Sequence, residues 1–199
     1  MKSKTVEAII RQGIRSLIMS MTESYWPTVG DNDMSERNIT AHVGHCFLES
    51  GWHLVTEVSF RKNAGSRLDM LALNRKFRAM VAIEGKRLES AVKAKELSDD
   101  AKRIKRFRLD EDNAWYCPRR ANSYGVLLAF TWSPEVQRWW RSGTHSLVPD
   151  GCRGVGWKPL GRRLDNYKAI CGALMLPGYG ETDGKYNNFW ALYAIFKQR

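Results

Sequence analysis

The period of the apolar positions changes several times along the chain, and each change marks an element. Val6, Ile9, Ile10, Ile14, Leu17, Ile18 and Met21 recur at helical spacing with charges between them, which predicts an amphipathic helix over residues 5–24. Pro27, Gly30, Asp31 and Asn32 mark a loop. A second helix is expected over 35–50, capped by Asp33 or Ser35 and ended by Gly51, with Ile39, Val43 and Phe47 as its buried stripe. Residues 53–60 read as a first strand. Two short apolar runs, 67–74 and 79–86, flank a basic loop and read as a β-hairpin.

A long helix follows over 88–109, with Ala94, Leu97, Ala101 and Ile104 along its seam. Residues 111–123 are irregular. The run 124–132 is almost continuously apolar, as expected of a strand buried on both faces. Residues 134–141 form a short helix bearing Trp139 and Trp140, 142–161 a long loop, 164–176 a helix closed by Pro177 and Gly178, and 190–196 a last strand. This order implies an α/β fold with a mixed central β-sheet flanked by helices. It divides into an N-terminal helix and loop (1–34), a core (35–141) and a C-terminal extension packed on that core (142–199), all in one domain.

Composition narrows the class. With 199 residues, 43% of them hydrophobic and 11% aromatic, the chain is long and apolar enough to fold around a core. A net charge of +11 favours a polyanionic partner. Nucleic acid fits better than a membrane surface, because no long apolar or lipid-binding segment accompanies the charge. Neither a signal peptide nor a membrane-spanning helix is read. Cys46, Cys117, Cys152 and Cys171 lie far apart without a CxxC pair, so reduced thiols in a cytoplasm are expected.

The hairpin carries the chemistry. Strand alternation sets Glu84 and Lys86 on one side, and Asp69 shares a face with Leu71 and Leu73. A turn centred between Lys76 and Phe77 places Asp69 opposite Glu84, with Cβ atoms roughly 4.5–5.5 Å apart. Two facing carboxylates repel unless a cation sits between them. Hard oxygen ligands suit Mg2+ or Mn2+ beside a phosphate. Lys86 would then orient or deprotonate an attacking water, or stabilise charge growing on the phosphate. The chemistry implied is phosphodiester hydrolysis.

Asp69, fourteen intervening residues and then Glu84-Gly85-Lys86 resemble the D…(D/E)xK signature of the PD-(D/E)xK nuclease superfamily, with Leu68 where the signature's Pro would stand. The resemblance covers about residues 35–141. It implies a restriction-endonuclease-like core and a Mg2+-dependent deoxyribonuclease in which Mn2+ substitutes. Asp69 and Glu84 would be ligands, the Gly85 carbonyl would reach the metal and Lys86 would serve the water. Many members also carry a Glu on the helix before the catalytic sheet. Glu36, on nearly the same helix face as Ile39 and Val43, matches that place; the competing reading is a capping box with Asp33 as N-cap.

Other groups are more ambiguous. Glu57 is either a further ligand or an edge residue, and His42, His45 and Cys46 read as packing or solvent-facing groups because no third zinc ligand accompanies them. DNA contacts are expected from Arg61 and Lys62 in a basic turn, from Arg67 and Arg87 flanking the proposed ligands, and from Lys102 and Arg106 on the basic side of the long helix. Arg119 and Arg120, beside Trp115 and Tyr116, suit stacking on unpaired bases. Two rival readings remain: a nucleic-acid-binding subunit on the same fold that performs no hydrolysis, part of a defence, repair or recombination assembly, and a basic interaction protein. Cutting both strands of a duplex would call for a homodimer.

Overall fold

The computed structural model describes residues 3–24, 35–59, 67–107, 122–145, 147–176 and 189–198. In chain order the elements are α1 (Ser3–Ser24), α2 (Glu36–Glu49), β1 (His53–Ser59), β2 (Arg67–Asn74), β3 (Ala79–Arg87), α3 (Ala91–Arg106), β4 (Asn122–Thr131), α4 (Pro134–Arg141), α5 (Trp157–Asn166), β5 (Ile170–Leu176) and β6 (Phe189–Lys197). The strands form one mixed sheet in the order β1-β2-β3-β4-β6-β5. Among the described residues only the β3–β4 pair is parallel, and α3 lies in the connection between its two strands.

Strand alternation sorts the apolar side chains into two cores. Met70, Ala72, Val81, Ile83, Val126 and Leu128 point to the face covered by α1 and α2. Leu71, Leu73, Met80, Ala82, Leu127 and Ala129 point to the face covered by α3, α4 and α5. β4 lies between β3 and β6 and is buried on both faces, as its continuous apolar run predicts. Each fully buried side chain of Leu or Phe size contributes about 1.5–3 kcal/mol, so these two layers fix which way every residue of β2 and β3 faces.

α1, α2 and α4 lie where the periodicity puts them, and the N-cap of α2 is Ser35, whose side chain accepts from Arg37 N. The C-terminal third differs from expectation. The expected helix over 164–176 is not found: α5 occupies Trp157–Asn166, starting inside the expected loop and ending three residues into that range, and Ile170–Leu176 is the edge strand β5. Lys168, at φ 51°, turns the chain out of α5. Gly172 then passes under the Tyr193 ring, where a Cβ would lie 2.2 Å from the ring carbon Cζ, so a side chain is excluded. The segment after residue 142 thus adds two strands to the same sheet. Among the described residues no helix is long and apolar enough to cross a membrane.

Candidate active site

The hairpin register is the one expected: Met70 pairs with Ile83 and Asn74 with Ala79, and the same register continued one step past its last pair would bring Asp69 level with Glu84. Backbone pairing between β2 and β3 stops at Met70 and Ile83, whereas β3 stays paired with β4 as far as Arg87 and Phe130. Glu84 to Arg87 are therefore held on the β4 side alone. The Asp69 side chain takes over where the ladder ends, its Oδ2 accepting from Gly85 N at 2.8 Å. On the other side of β2, Asp69 has no partner in the β1 register, and the facing residue, Glu57, is left-handed at φ 53°. Such a conformation is uncommon for a non-glycine residue and marks a local break in the sheet.

Three elements bring charge into this notch. Glu84, 3% exposed, and Lys86 point to the α3 side. Arg103 of α3 donates through Nη2 to Glu84 Oε1 at 2.8 Å, and the same nitrogen lies 2.6 Å from Asp100 Oδ1. Lys86 Nζ is 3.6 Å from Glu96, 4.0 Å from Asp100 and 3.6 Å from Glu36 Oε2. Glu36 comes from the first turn of α2, and its Oε1 accepts from Arg87 N at 3.1 Å. Its carboxylate therefore serves β3 and not a capping box.

Gly85 makes this approach possible. A Cβ there would stand 2.7 Å from Thr40 Cγ2 and 3.3 Å from the Glu36 carbonyl oxygen. The middle residue of Glu84-Gly85-Lys86 lies under α2, so a side chain would push away the helix that delivers Glu36.

The electrostatics follow from burial. Desolvation, with Asp100 and Asp69 adding repulsion, pushes the Glu84 carboxyl up to about 8 despite its bond from Arg103. Burial likewise raises Asp100 to about 6, against the pull of Arg103 and Lys86. For Lys86, burial opposes the charged form, but Asp100, Glu36, Glu96 and Asp69 outweigh it and hold the amine above its usual value. Lys86 is thus an ammonium at neutral pH.

Asp69, Glu84, Lys86 and Glu36 accordingly come together as expected, with Asp69 acting on Glu84, Asp100, Lys86 and Arg103. Sequence reasoning missed Glu96, Asp100 and Arg103. Asp100 was recognisable by the same sign as Glu36, an acid on an apolar stripe, since it lies one turn from Leu97 and from Ile104. Among the described residues no three His, Cys, Asp or Glu side chains are placed ready to hold a metal. The groups able to contribute are hard oxygens: the carboxylates of Asp69, Glu84 and Asp100 and the Gly85 carbonyl. Asp100 Oδ2 is buried without a hydrogen-bond partner.

Of the residues expected to meet DNA, Arg61, Lys62, Arg119 and Arg120 lie outside the described residues, as do Trp115 and Tyr116. Arg67 is exposed, 3.7 Å from Glu57. Arg87 is paired with Glu89 and lies 5.4 Å over the Trp132 ring. Lys102 and Arg106 are exposed on α3. The basic side of that helix is partly compensated, because Lys93 pairs with Glu96 at 3.0 Å and Lys95 with Asp99 at 3.2 Å, while Arg103 turns inward. Glu57 is a half-exposed residue of edge strand β1 near Arg37 and Arg67. His42 lies 3.2 Å from Ser16, His45 pairs with Glu49 and Cys46 is buried.

No protein-family model matches the chain, and no match is found among curated proteins or solved structures.

Proposed function

We propose that the chain is a Mg2+-dependent nuclease that hydrolyses DNA phosphodiester bonds on a restriction-endonuclease-like core. The observation that carries this reading is the notch itself: where the hairpin ladder ends, Asp69 accepts from Gly85 N and adds its charge to the surroundings of Glu84, with Lys86 beside them and Glu36 reaching in from α2. The order α2, β1, β2, β3, α3, β4 is the one the D…(D/E)xK resemblance calls for, and it supports the same core.

Asp69, Glu84 and the Gly85 carbonyl would hold the ion. Mg2+ is commonly bound by one or two carboxylates and keeps several waters, so a ready-made cage of three acids is not required. The buried, repelling acids and the Asp100 Oδ2, which accepts no hydrogen bond and faces Lys86 only at 4.0 Å, suit a cation. A bound ion would polarise the phosphate and lower the pKa of its water. Lys86, whose amine its carboxylate neighbours hold above its usual value, would orient the attacking water and meet the charge developing on the phosphate as an ammonium. Glu36 holds Lys86 in place from the α2 side.

The decisive experiment incubates the purified chain with plasmid and with single-stranded DNA in Mg2+, Mn2+ or chelator, with Asp69→Asn as the control for contaminating nuclease. Cleavage should need the metal, and Lys86→Ala should abolish it, by roughly 100-fold or more, while DNA binding persists. A Lys86→Ala protein that cuts as fast as the parent would rule the assignment out.

A non-catalytic nucleic-acid-binding subunit on the same fold has one observation in its favour: Glu84 is already engaged by Arg103, and Lys86 by three carboxylates. Salt-sensitive DNA binding without metal-dependent cleavage in the same assay would select it.

A further inference from the structure

One nitrogen of Arg103 stands between oxygens of two different elements, 2.8 Å from Glu84 Oε1 on β3 and 2.6 Å from Asp100 Oδ1 on α3. A cation bridging those oxygens would sit in the same place. Deepening the nuclease reading on which it rests, the geometry points to Arg103 as a resident counter-cation that holds Glu84 and Asp100 together until a divalent ion replaces it, and that then turns to the phosphate.

Three features carry this. Both carboxylates are almost wholly buried, at 3% and 5% exposure, so without a cation their charges would face each other with little water to screen them. Asp100 keeps Oδ2 buried without a hydrogen-bond partner, an oxygen lone pair beside the guanidinium that Arg103 does not use. Finally, the Arg103 side chain as a whole is 35% exposed although its Nε is buried, in contrast to the acids it bridges, so the side chain borders solvent and has room to turn outward while its Cα stays fixed on α3. A planar guanidinium released beside a phosphate is suited to binding it through two parallel N–H donors, which an ammonium cannot do.

The role separates Arg103 from Lys86. Lys86 is shared among Glu36, Glu96 and Asp100 at 3.6–4.0 Å, so the one candidate ligand among its ion-pair partners is Asp100, at the longest of these distances. Arg103 directly contacts Glu84 and therefore competes with the ion for it. Removing it should tighten metal binding while weakening catalysis, a combination that a purely structural salt bridge would not give.

The test measures Mn2+ binding to the whole chain by titration calorimetry without DNA. Arg103→Gln should bind Mn2+ about tenfold or more tightly than the parent, because a like charge has left the ion's surroundings. The direction holds even where a proton competes for Glu84, since a doubly charged ion gains twice what a proton gains from that loss. Asp100→Asn should bind more weakly, and Arg103→Gln should turn over DNA more slowly despite its tighter metal. If Arg103→Gln does not fold, the parent still answers: the Arg103 Nε–H NMR resonance should shift on adding Mg2+ and stay put in Glu84→Gln. A parent that binds Mn2+ with Arg103→Gln no tighter, or with an unmoved Arg103 resonance, overturns this role and leaves the nuclease reading standing. A parent that binds no Mn2+ removes both.

Discussion

Replacing Glu84 by Gln should stabilise the metal-free protein at alkaline pH, although Glu84 is a proposed ligand with an ion pair to Arg103. Burial raises its carboxyl from 4.5 to about 8. Between those values the folded state holds a proton that the unfolded chain has released, so stability falls as pH rises through the window. Each tenfold difference in proton affinity between the two states is worth about 1.4 kcal/mol, which puts the full cost of ionising Glu84 at about 5 kcal/mol above pH 8. About 3.5 kcal/mol of it accrues between pH 5 and pH 8. Gln keeps the shape and an oxygen for Arg103 but never ionises.

Urea denaturation in chelator at several pH values tests this. The parent should lose about 3.5 kcal/mol between pH 5 and pH 8 through Glu84. Asp100, raised to about 6, adds to the loss in both proteins. Glu84→Gln should lack the Glu84 part, and its curve should cross above the parent's before pH 8. Saturating Mg2+ at a hundred times its Kd should restore about 2.7 kcal/mol to the parent at pH 8 and much less to the variant. A variant that keeps the parent's slope, or that is the less stable of the two at pH 8, would refute the burial cost assigned to this carboxylate.

Gly85→Ala should cost about 1–3 kcal/mol and lower cleavage, because its Cβ meets Thr40 Cγ2 at 2.7 Å; Thr40→Ser removes that methyl, and the double variant should recover much of both in melting and cleavage assays. Lys102→Ala and Arg106→Ala, exposed on α3, should each weaken DNA binding and shrink the slope of log K against log salt by about 1, read by fluorescence anisotropy. An unchanged slope would take them off the DNA path.

The hairpin was legible because its two runs flank a short basic loop, and a turn placed between Lys76 and Phe77 gives the register that Met70–Ile83 and Asn74–Ala79 show. Glu36 was legible as an acid on an apolar stripe. Arg103 was not: in sequence, a base three residues after Asp100 on a charged helix reads as a surface ion pair. Only tertiary placement of α3 over β3 turns it inward. The C-terminal misreading has a different cause. Residues 170–176 are an unbroken apolar run, for which periodicity does not separate strand from helix, and pairing with β6 decides the matter. α5 was hidden by Pro159 and Gly161. Pro is tolerated in the first turn of a helix, and Gly161 gives the space in which the His145 carbonyl approaches to 2.4 Å of where a Cβ would be.

The places where the chain departs from good folding practice coincide. The β2–β3 ladder ends early, the Glu57–Asp69 pair is missing, a non-glycine residue takes a left-handed conformation, and two buried carboxylates stand within reach of one guanidinium nitrogen. Each costs stability, and ordinary packing would remove it: an apolar residue at 84 would extend the core of Leu71, Met80 and Ala82. Selection for stability alone gives no reason to keep all of them within a few residues of Asp69 and β3. A protein of net charge +11 also has no general need for acid, yet Glu36, Asp69, Glu84, Glu96 and Asp100 gather around Lys86 and Arg103. On the proposed function the two signs divide the work. Exposed cations such as Lys102 and Arg106 draw in the polyanion, and the buried acids collect the small cation that the basic surface would otherwise repel.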